Sequence, residues 1–342
     1  MKLLFYPAIA LMNRLGYTKK FALLGLLFLI AIAVLTYSLL ASLDSVIRTS
    51  QQQLESITLI KPISRTVQGI QLHRGLSAAL LGGNKAMRDR RAAAEKEVVD
   101  AFNMLEGKLP ANLRQTEDWR DIWTNWESLL KEGLNWTAAE NFAAHTRLIS
   151  QIHLFMAVLA QDTETGLFYL VNIATSRLPD VLEHMGRIRA YGIGILAAKQ
   201  ITEVQKAEVR GMLANLDNAL TPLEINFDNA ARHNPALQDA LLTASRDISD
   251  AAMQINVLME SDILTGRLAT SPEDFLMMVT AVIDDSYAHM YESLLPSVET
   301  QINERIVHAE NTLRTSIGVA FLLFLVVVYF SIGSYYATIG SI

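Results

Sequence analysis

Residues 68–84 read Gln-Gly-Ile-Gln-Leu-His-Arg-Gly-Leu-Ser-Ala-Ala-Leu-Leu-Gly-Gly-Asn. The run is mostly apolar or small, and Arg74 is its only charged residue when histidine is neutral. It ends in Gly-Gly-Asn, which is typical of a helix C-terminus because glycine and asparagine tolerate a left-handed backbone. Arg74 and Ser77 are three residues apart and share one face of this helix. The stretch therefore predicts a helix that carries one arginine among small residues.

A weaker copy of the pattern begins at Gly186, in Gly-Arg-Ile-Arg-Ala-Tyr-Gly-Ile-Gly-Ile-Leu-Ala-Ala. Arg189 aligns with Arg74, and Gly192 aligns with Ser77. In each copy a small residue follows the arginine by one turn, which leaves room beside the guanidinium group. Two copies of one unit indicate a duplicated helical module. The alternative is that both arginines are ordinary surface residues of bundle helices, since buried arginine is rare unless it is paired.

Two uncharged apolar runs lie near the ends of the chain. Phe21 to Leu43 is 23 residues long and Thr315 to Ile342 is 28. Each is long enough to cross a bilayer, which takes roughly 20 residues. The first run is longer than the apolar part of a cleaved signal peptide and has no small-residue cleavage site after it. We therefore predict transmembrane helices over 21–43 and 315–338.

The distribution of charge predicts the topology. Residues 1–20 contain four Lys and Arg residues and no acid, so the positive-inside rule places this lead and the stub 339–342 in the cytoplasm. The region 44–314 is then outside the cytoplasm. It holds the other 25 of the 29 Lys and Arg residues and all 35 Asp and Glu residues, a net charge of −10. Such an acidic domain argues against nucleic acid as a partner.

The region between the spans has the pattern of an all-α fold. It shows no alternating strand pattern and no Asn-Gly hairpin, and the chain has no cysteine to form a disulfide framework. Helix caps and prolines divide it into segments that predict an up-and-down helical bundle domain, with two bundles over about 44–177 and 178–314. The predicted segments are 44–81, 85–106, 117–133, 138–177, 180–199, 203–219, 223–232 with 236–266, and 273–314.

Four prolines matter for these boundaries. Leu178-Pro179 reads as a break, and Thr221-Pro222 reads as an N-cap followed by proline at the first helical position. Pro62 and Pro296 lie inside the helices that run into the two spans, where each either bends its helix or ends it.

No pattern in the chain indicates an enzyme, a metal site or a cofactor. Gly-x-Ser-x-Gly, P-loop and dinucleotide motifs are missing, and the seven histidines form no His-x-x-x-His pair. Trp119, Trp123 and Trp126 share a helix face. They form either an aromatic cage for a cation or, as their helical spacing favours, a core stripe.

The layout of two spans around a helical external domain resembles a bacterial transmembrane sensor. The run His-Arg-Gly-Leu-Ser-Ala-Ala at 73–79 resembles the arginine motif of nitrate- and nitrite-sensing (NIT-type) domains, with His73 in place of the usual acid. The sequence before the first span and Gly-Arg-Ile-Arg-Ala-Tyr-Gly in the second half resemble methyl-accepting chemotaxis receptors that carry such a sensor.

The resemblance implies a homodimer in the bacterial inner membrane, with 44–314 in the periplasm. It implies a small anion held between Arg74 and Arg189, with Ser77 and Gly192 beside them, and a signal passed through the second span. The HAMP linker and methyl-accepting coiled coil that it implies downstream are missing from this chain. Two alternatives stay open: a bimodular sensor of small organic acids, and a non-enzymatic membrane adaptor that binds a periplasmic protein.

Overall fold

The all-α fold is confirmed. The computed structural model describes residues 5–159 and 165–339, and every regular element in these ranges is helical. The α-helices are, in chain order, α1 Tyr6–Asn13, α2 Tyr17–Leu81, α3 Arg88–Lys108, α4 Ala111–Arg114, α5 Glu117–Glu132, α6 Ala138–Leu159, α7 Thr165–Asn172, α8 Leu178–Ala198, α9 Glu203–His233, α10 Gln238–Leu258, α11 Pro272–Ala288 and α12 Leu295–Ile339. Three π-helical turns follow α7, α10 and α11, at Ile173–Arg177, Met259–Leu264 and His289–Leu294.

The helices that carry the two apolar runs are very long. Helix α2 has 65 residues and passes through Pro62 without ending. Helix α11, its π-helical turn and α12 form one continuous helical stretch, Pro272–Ala337, in which Pro296 lies two residues after the end of the turn. Both prolines therefore lie inside continuous helices, and neither ends one.

Three helices of the described chain are long and apolar enough to cross a membrane: Lys19–Leu81, Ala138–Leu159 and Pro272–Ala337. The second, α6, was not among the predicted spans. In its most apolar window 33% of the residues are buried, against none in the other two windows. Helix α6 contributes His145, Ile149 and Ile152 to the packed interior, as expected for a core helix of a globular domain.

Contacts divide the chain into two compact units. One comprises Met1–Gln52 with Ile302–Ile342, and the other comprises Gln53–Gln301. In the second unit, α8, α9, α10 and α11 pack on one another as a four-helix group. The division of the external region into halves at 177/178 remains a prediction.

A second group of helices in the unit Gln53–Gln301 packs around aromatic rings. Phe102 on α3 contacts Trp119, Trp123 and Trp126 on α5, with ring centroids 5.2–6.1 Å apart. Trp119 and Trp126 are only 3% and 1% exposed. The interpretation of the tryptophans as a core stripe is confirmed.

Two predicted breaks were wrong. Helix α9 runs through Pro222, and Pro179 lies in the first turn of α8, directly after the π-helical turn. Proline removes one backbone hydrogen bond, but the apolar stripe of α9 continues across it with Leu216 and Leu223 both buried. Packing of this stripe therefore outweighs the local preference for a break.

Side-chain caps begin helices α6 and α11. Thr137 and Glu140 form a reciprocal capping box at the start of α6. Ser271 accepts a hydrogen bond from the backbone N–H of Asp274 and caps α11. These caps fix where α6 and α11 begin, and both helices contribute side chains to the site described next.

Candidate functional site

The two motif arginines lie close together, where α2 and α8 approach each other. A Cβ atom added to Gly186 on α8 would lie 3.1 Å from Nη2 of Arg74, and one added to Gly75 on α2 would lie 3.7 Å from Nε of Arg189. Arg74 therefore lies against Gly186, three residues before Arg189. Arg189 lies against Gly75, the residue that follows Arg74. The prediction that the two guanidinium groups come together agrees with this geometry.

Arg74 is fully buried and paired with a carboxylate, Glu183, that no sequence motif marks. Its Nη1 and Nη2 donate to the two carboxylate oxygens of Glu183 at 2.6 and 3.0 Å. Nη1 also donates to the hydroxyl of Thr146 at 2.9 Å, and the guanidinium lies over the ring of Phe142 at 5.2 Å. This is the two-point geometry in which arginine binds planar oxyanions.

Glu183 is itself held in place by a side chain from α2. Gln71 donates from Nε2 to Glu183 at 3.0 Å and accepts a hydrogen bond from the Tyr287 hydroxyl on α11 at 3.2 Å. Gln71 is fully buried, and Tyr287 is 2% exposed. The carboxylate is thus fixed by groups from α2 and, through Gln71, by α11.

Arg189 is equally buried, but its charge has no acidic partner. Its Nη1 donates to the hydroxyl of Thr280 on α11 at 3.0 Å, and its Nε has no hydrogen-bond partner. Within residues 5–159 and 165–339 it forms no ion pair. Burial lowers the pKa of the Arg189 guanidinium to about 10, and the charge of Arg74 adds to the effect.

The buried site therefore carries one excess positive charge. Of the two guanidinium groups, only that of Arg74 is paired with the carboxylate of Glu183, and Asp284 acts on Arg189 only as a more distant charge. An unpaired charge in a protein interior costs several kcal/mol, about as much as the removal of one partner from a buried ion pair. One small anion beside Arg189 would neutralise the site.

The two small residues of the predicted site have other contacts. Ser77 is fully buried, and its hydroxyl accepts a hydrogen bond from Nε of Arg91 at 2.9 Å. At Gly192 an added Cβ would lie 2.6 Å from Cζ of Phe275, so that ring fills the space beside the glycine. The structure thus brings Arg74 and Arg189 together, whereas Ser77 faces Arg91 and Gly192 faces α11.

His73, the departure from the family motif, belongs to a buried polar chain. Its Nδ1 lies 2.8 Å from Nε2 of His145, whose Nδ1 donates to the carbonyl of Asn141 at 2.8 Å. On the other side Nε2 of His73 lies 3.6 Å from Glu95, which is bound by Arg91. Burial lowers the pKa of His73, and it holds the pKa of His145 well below its usual value.

Comparison with known proteins identifies the family. The model of the nitrate and nitrite sensing family matches residues 65–303, well over half of the chain and all of the site described above. Neither the curated proteins nor the solved structures compared with the chain gave a match. This is a sensing family, not a catalytic one. The chain belongs to the nitrate and nitrite sensing (NIT) family.

Proposed function

We propose that this chain is the sensing region of a two-pass chemoreceptor of the bacterial inner membrane. It binds nitrate or nitrite outside the cytoplasm and passes the signal through α12. The observation that carries the proposal is the buried guanidinium of Arg189, which has no carboxylate partner next to the paired Arg74.

Nitrate and nitrite match this arrangement chemically. Both are small, planar monoanions, and guanidinium groups offer several fixed N–H donors in one plane. A monoanion balances the single excess charge, whereas a dianion would leave the site negative. The Nε of Arg189, buried without a hydrogen-bond partner, supplies a donor for an oxygen of the anion.

The contacts of Arg189 suggest how binding is transmitted. The guanidinium links α8 to α11 through Thr280. An anion that competes for the same donors changes this link, and a ligand shifts a two-state equilibrium by its difference in affinity for the two states. Helix α11 is continuous with the helix that reaches Ala337, so its displacement is carried along one element.

The test is calorimetry of the full chain in lipid nanodiscs with nitrate, nitrite, chloride and acetate. Arg189→Gln should weaken nitrate binding by at least about tenfold, as expected when a charge-assisted hydrogen bond is lost. Because the substitution removes an unpaired buried charge, the variant should also melt at the same or a higher temperature than the parent.

Arg187→Gln is the matched control, since Arg187 is two residues away on the same helix and makes no hydrogen bond to the arginine site. Its nitrate affinity should equal that of the parent. Undiminished nitrate binding by Arg189→Gln, or binding of acetate in preference to nitrate, contradicts the proposal.

A further inference from the structure

A cavity lies beside the arginine site, on the other side of Phe142 from Arg74. Its volume is about 650 Å³, and its walls come from the end of α2, the start of α6, the second half of α8 and the first half of α9. We call it the side cleft. Ligand pockets have volumes of roughly 300–1,000 Å³. The side cleft is therefore suited to an organic molecule and is far larger than the four atoms of nitrate require.

The walls of the side cleft are mainly apolar and include two aromatic rings. Phe142 and Tyr191 meet edge to face, with centroids 6.2 Å apart, and the remaining wall is largely alanine and glycine. Aromatic rings prefer such edge and offset contacts with further rings. The surface thus favours a flat, aromatic body.

Two opposite charges line the side cleft, and only one of them lacks a partner. The carboxylate of Glu208 accepts a hydrogen bond from the Tyr191 hydroxyl. The Nε of Arg187 is buried and has no hydrogen-bond partner, and Arg187 forms no ion pair in the described part of the chain. A ligand with a negative charge can therefore pair with the guanidinium of Arg187.

We propose that the side cleft binds an aromatic monocarboxylate, with its carboxylate on Arg187 and its ring against Phe142 and Tyr191. The site is separate from the nitrate site, although Phe142 contacts both: its ring also lies over the guanidinium of Arg74. The receptor thereby takes two kinds of anion, one inorganic and one organic, through different arginines of the same helix.

The probe is benzoate, titrated into the full chain in nanodiscs, with benzamide as the uncharged molecule of the same shape. Benzoate should bind at least about tenfold more tightly than benzamide, because its carboxylate forms a charge-assisted hydrogen bond with the guanidinium. Arg187→Gln should weaken benzoate binding by the same factor and leave nitrate binding unchanged. Arg189→Gln should weaken nitrate binding and leave benzoate binding unchanged.

A second variant tests the cleft without touching a charge. Gly211 lines the cleft, and a Cβ added there meets no atom within 4 Å, so Gly211→Leu adds bulk at a wall position that has room for a side chain. It should weaken benzoate binding. Gly107→Leu is the matched control, since it is also helical, also free of contacts within 4 Å and outside the cleft lining.

Three results overturn the proposal: no benzoate binding at millimolar concentration, equal affinity for benzoate and benzamide, or parental benzoate binding by Arg187→Gln. A chain that binds nitrate but not benzoate rejects the side-cleft site alone. A chain that binds benzoate but not nitrate rejects the proposed nitrate function alone.

Discussion

Glu183 controls the net charge of the arginine site. Its carboxylate oxygens accept hydrogen bonds from Nη1 and Nη2 of Arg74 and balance the charge of that guanidinium. Glu183→Gln keeps the shape but removes the negative charge that is paired with Arg74. The variant should be less stable than the parent by up to about 3–5 kcal/mol, the cost of breaking a buried pair. Nitrate should restore much of this loss and raise the melting temperature more than it does in the parent.

Melting curves with and without nitrate measure both effects. Glu106→Gln, at an exposed position of α3, is the control for loss of one carboxylate and should behave like the parent. An equal nitrate response in Glu183→Gln and the parent would mean that the anion does not bind at Arg74 and Arg189.

The buried histidine pair predicts a dependence of stability on pH. Burial holds the pKa of His145 below the value of 6.5 that it has in the unfolded chain. The folded domain keeps the ring neutral, so stability is complete above about pH 6.5 and falls as pH decreases and the unfolded state takes up the proton. The slope is up to about 1.4 kcal/mol per pH unit for each such histidine.

Denaturant unfolding between pH 7.5 and 5 tests this. His145→Gln keeps an acceptor for the Nδ1–H of His73 and should flatten the pH dependence, although it lowers stability at pH 7.5. His308→Gln, at an exposed position of α12, should keep the full slope. A slope that is the same in all three chains would exclude His145 as its source.

At the scale of residues, the sequence identified the two arginines because a lone charge in an apolar run is visible without a structure. Glu183 has a similar signal: it is an acid among Val181, Leu182 and Met185, which are all buried. The pairing of Glu183 with Arg74 was not predictable, because it depends on which helix packs against α8. Thr280 has no such signal, since threonine is common on helix surfaces.

At the scale of elements, the contact between α8 and α11 depends on Gly192. A Cβ there would lie 2.6 and 2.9 Å from Cζ and Cε1 of the fully buried Phe275. Gly192→Ala should therefore destabilise the domain by about 1–3 kcal/mol, the usual cost of overpacking. Urea unfolding measures the loss.

Gly194→Ala is the matched control, because its Cβ would meet only the carbonyl of Ala78, at an ordinary 3.9 Å. Alanine is the better helix former by about 1 kcal/mol, so this variant should be neutral or more stable. Equal stability of the two variants would show that α11 moves freely away from α8.

Most helices were predictable from caps and apolar spacing, and the errors have one physical origin. A cap such as Ser271 acts through its own neighbours, so its effect is visible in the sequence. Proline at 222 or 179 competes with packing against other helices, which a local pattern does not contain. The π-helical turns were not predicted for the same reason.

At the scale of the whole molecule, we expect a homodimer, because two-fold pairing is the commonest symmetry of protein assemblies. The chain has no native cysteine, so single cysteines can be placed along 48–60. The exposed positions of this part of α2 share one helix face: Arg48, Gln51, Gln52, Glu55 and Thr58. Crosslinks should be strongest there and recur every three to four residues.

The crosslinking is done in membranes with the full chain, and gel mobility measures it. Cysteine at Ile57 or Ile60, which are buried, is the internal control and should crosslink poorly. A complete lack of crosslinks along 48–60, or equal crosslinking at every position, would contradict pairing through this helix.

The hydroxyl that Thr280 offers to Arg189 also has an evolutionary consequence. Replacement of this threonine by aspartate would supply the missing negative charge from within the protein, so a lineage could lose its input by one amino-acid change without losing its fold. Such a descendant should melt at a higher temperature than its ancestor and no longer respond to nitrate, while Thr280→Asn, without the charge, should still respond. Under the proposed function, sensing therefore depends on the absence of a carboxylate beside Arg189, and selection must maintain that absence.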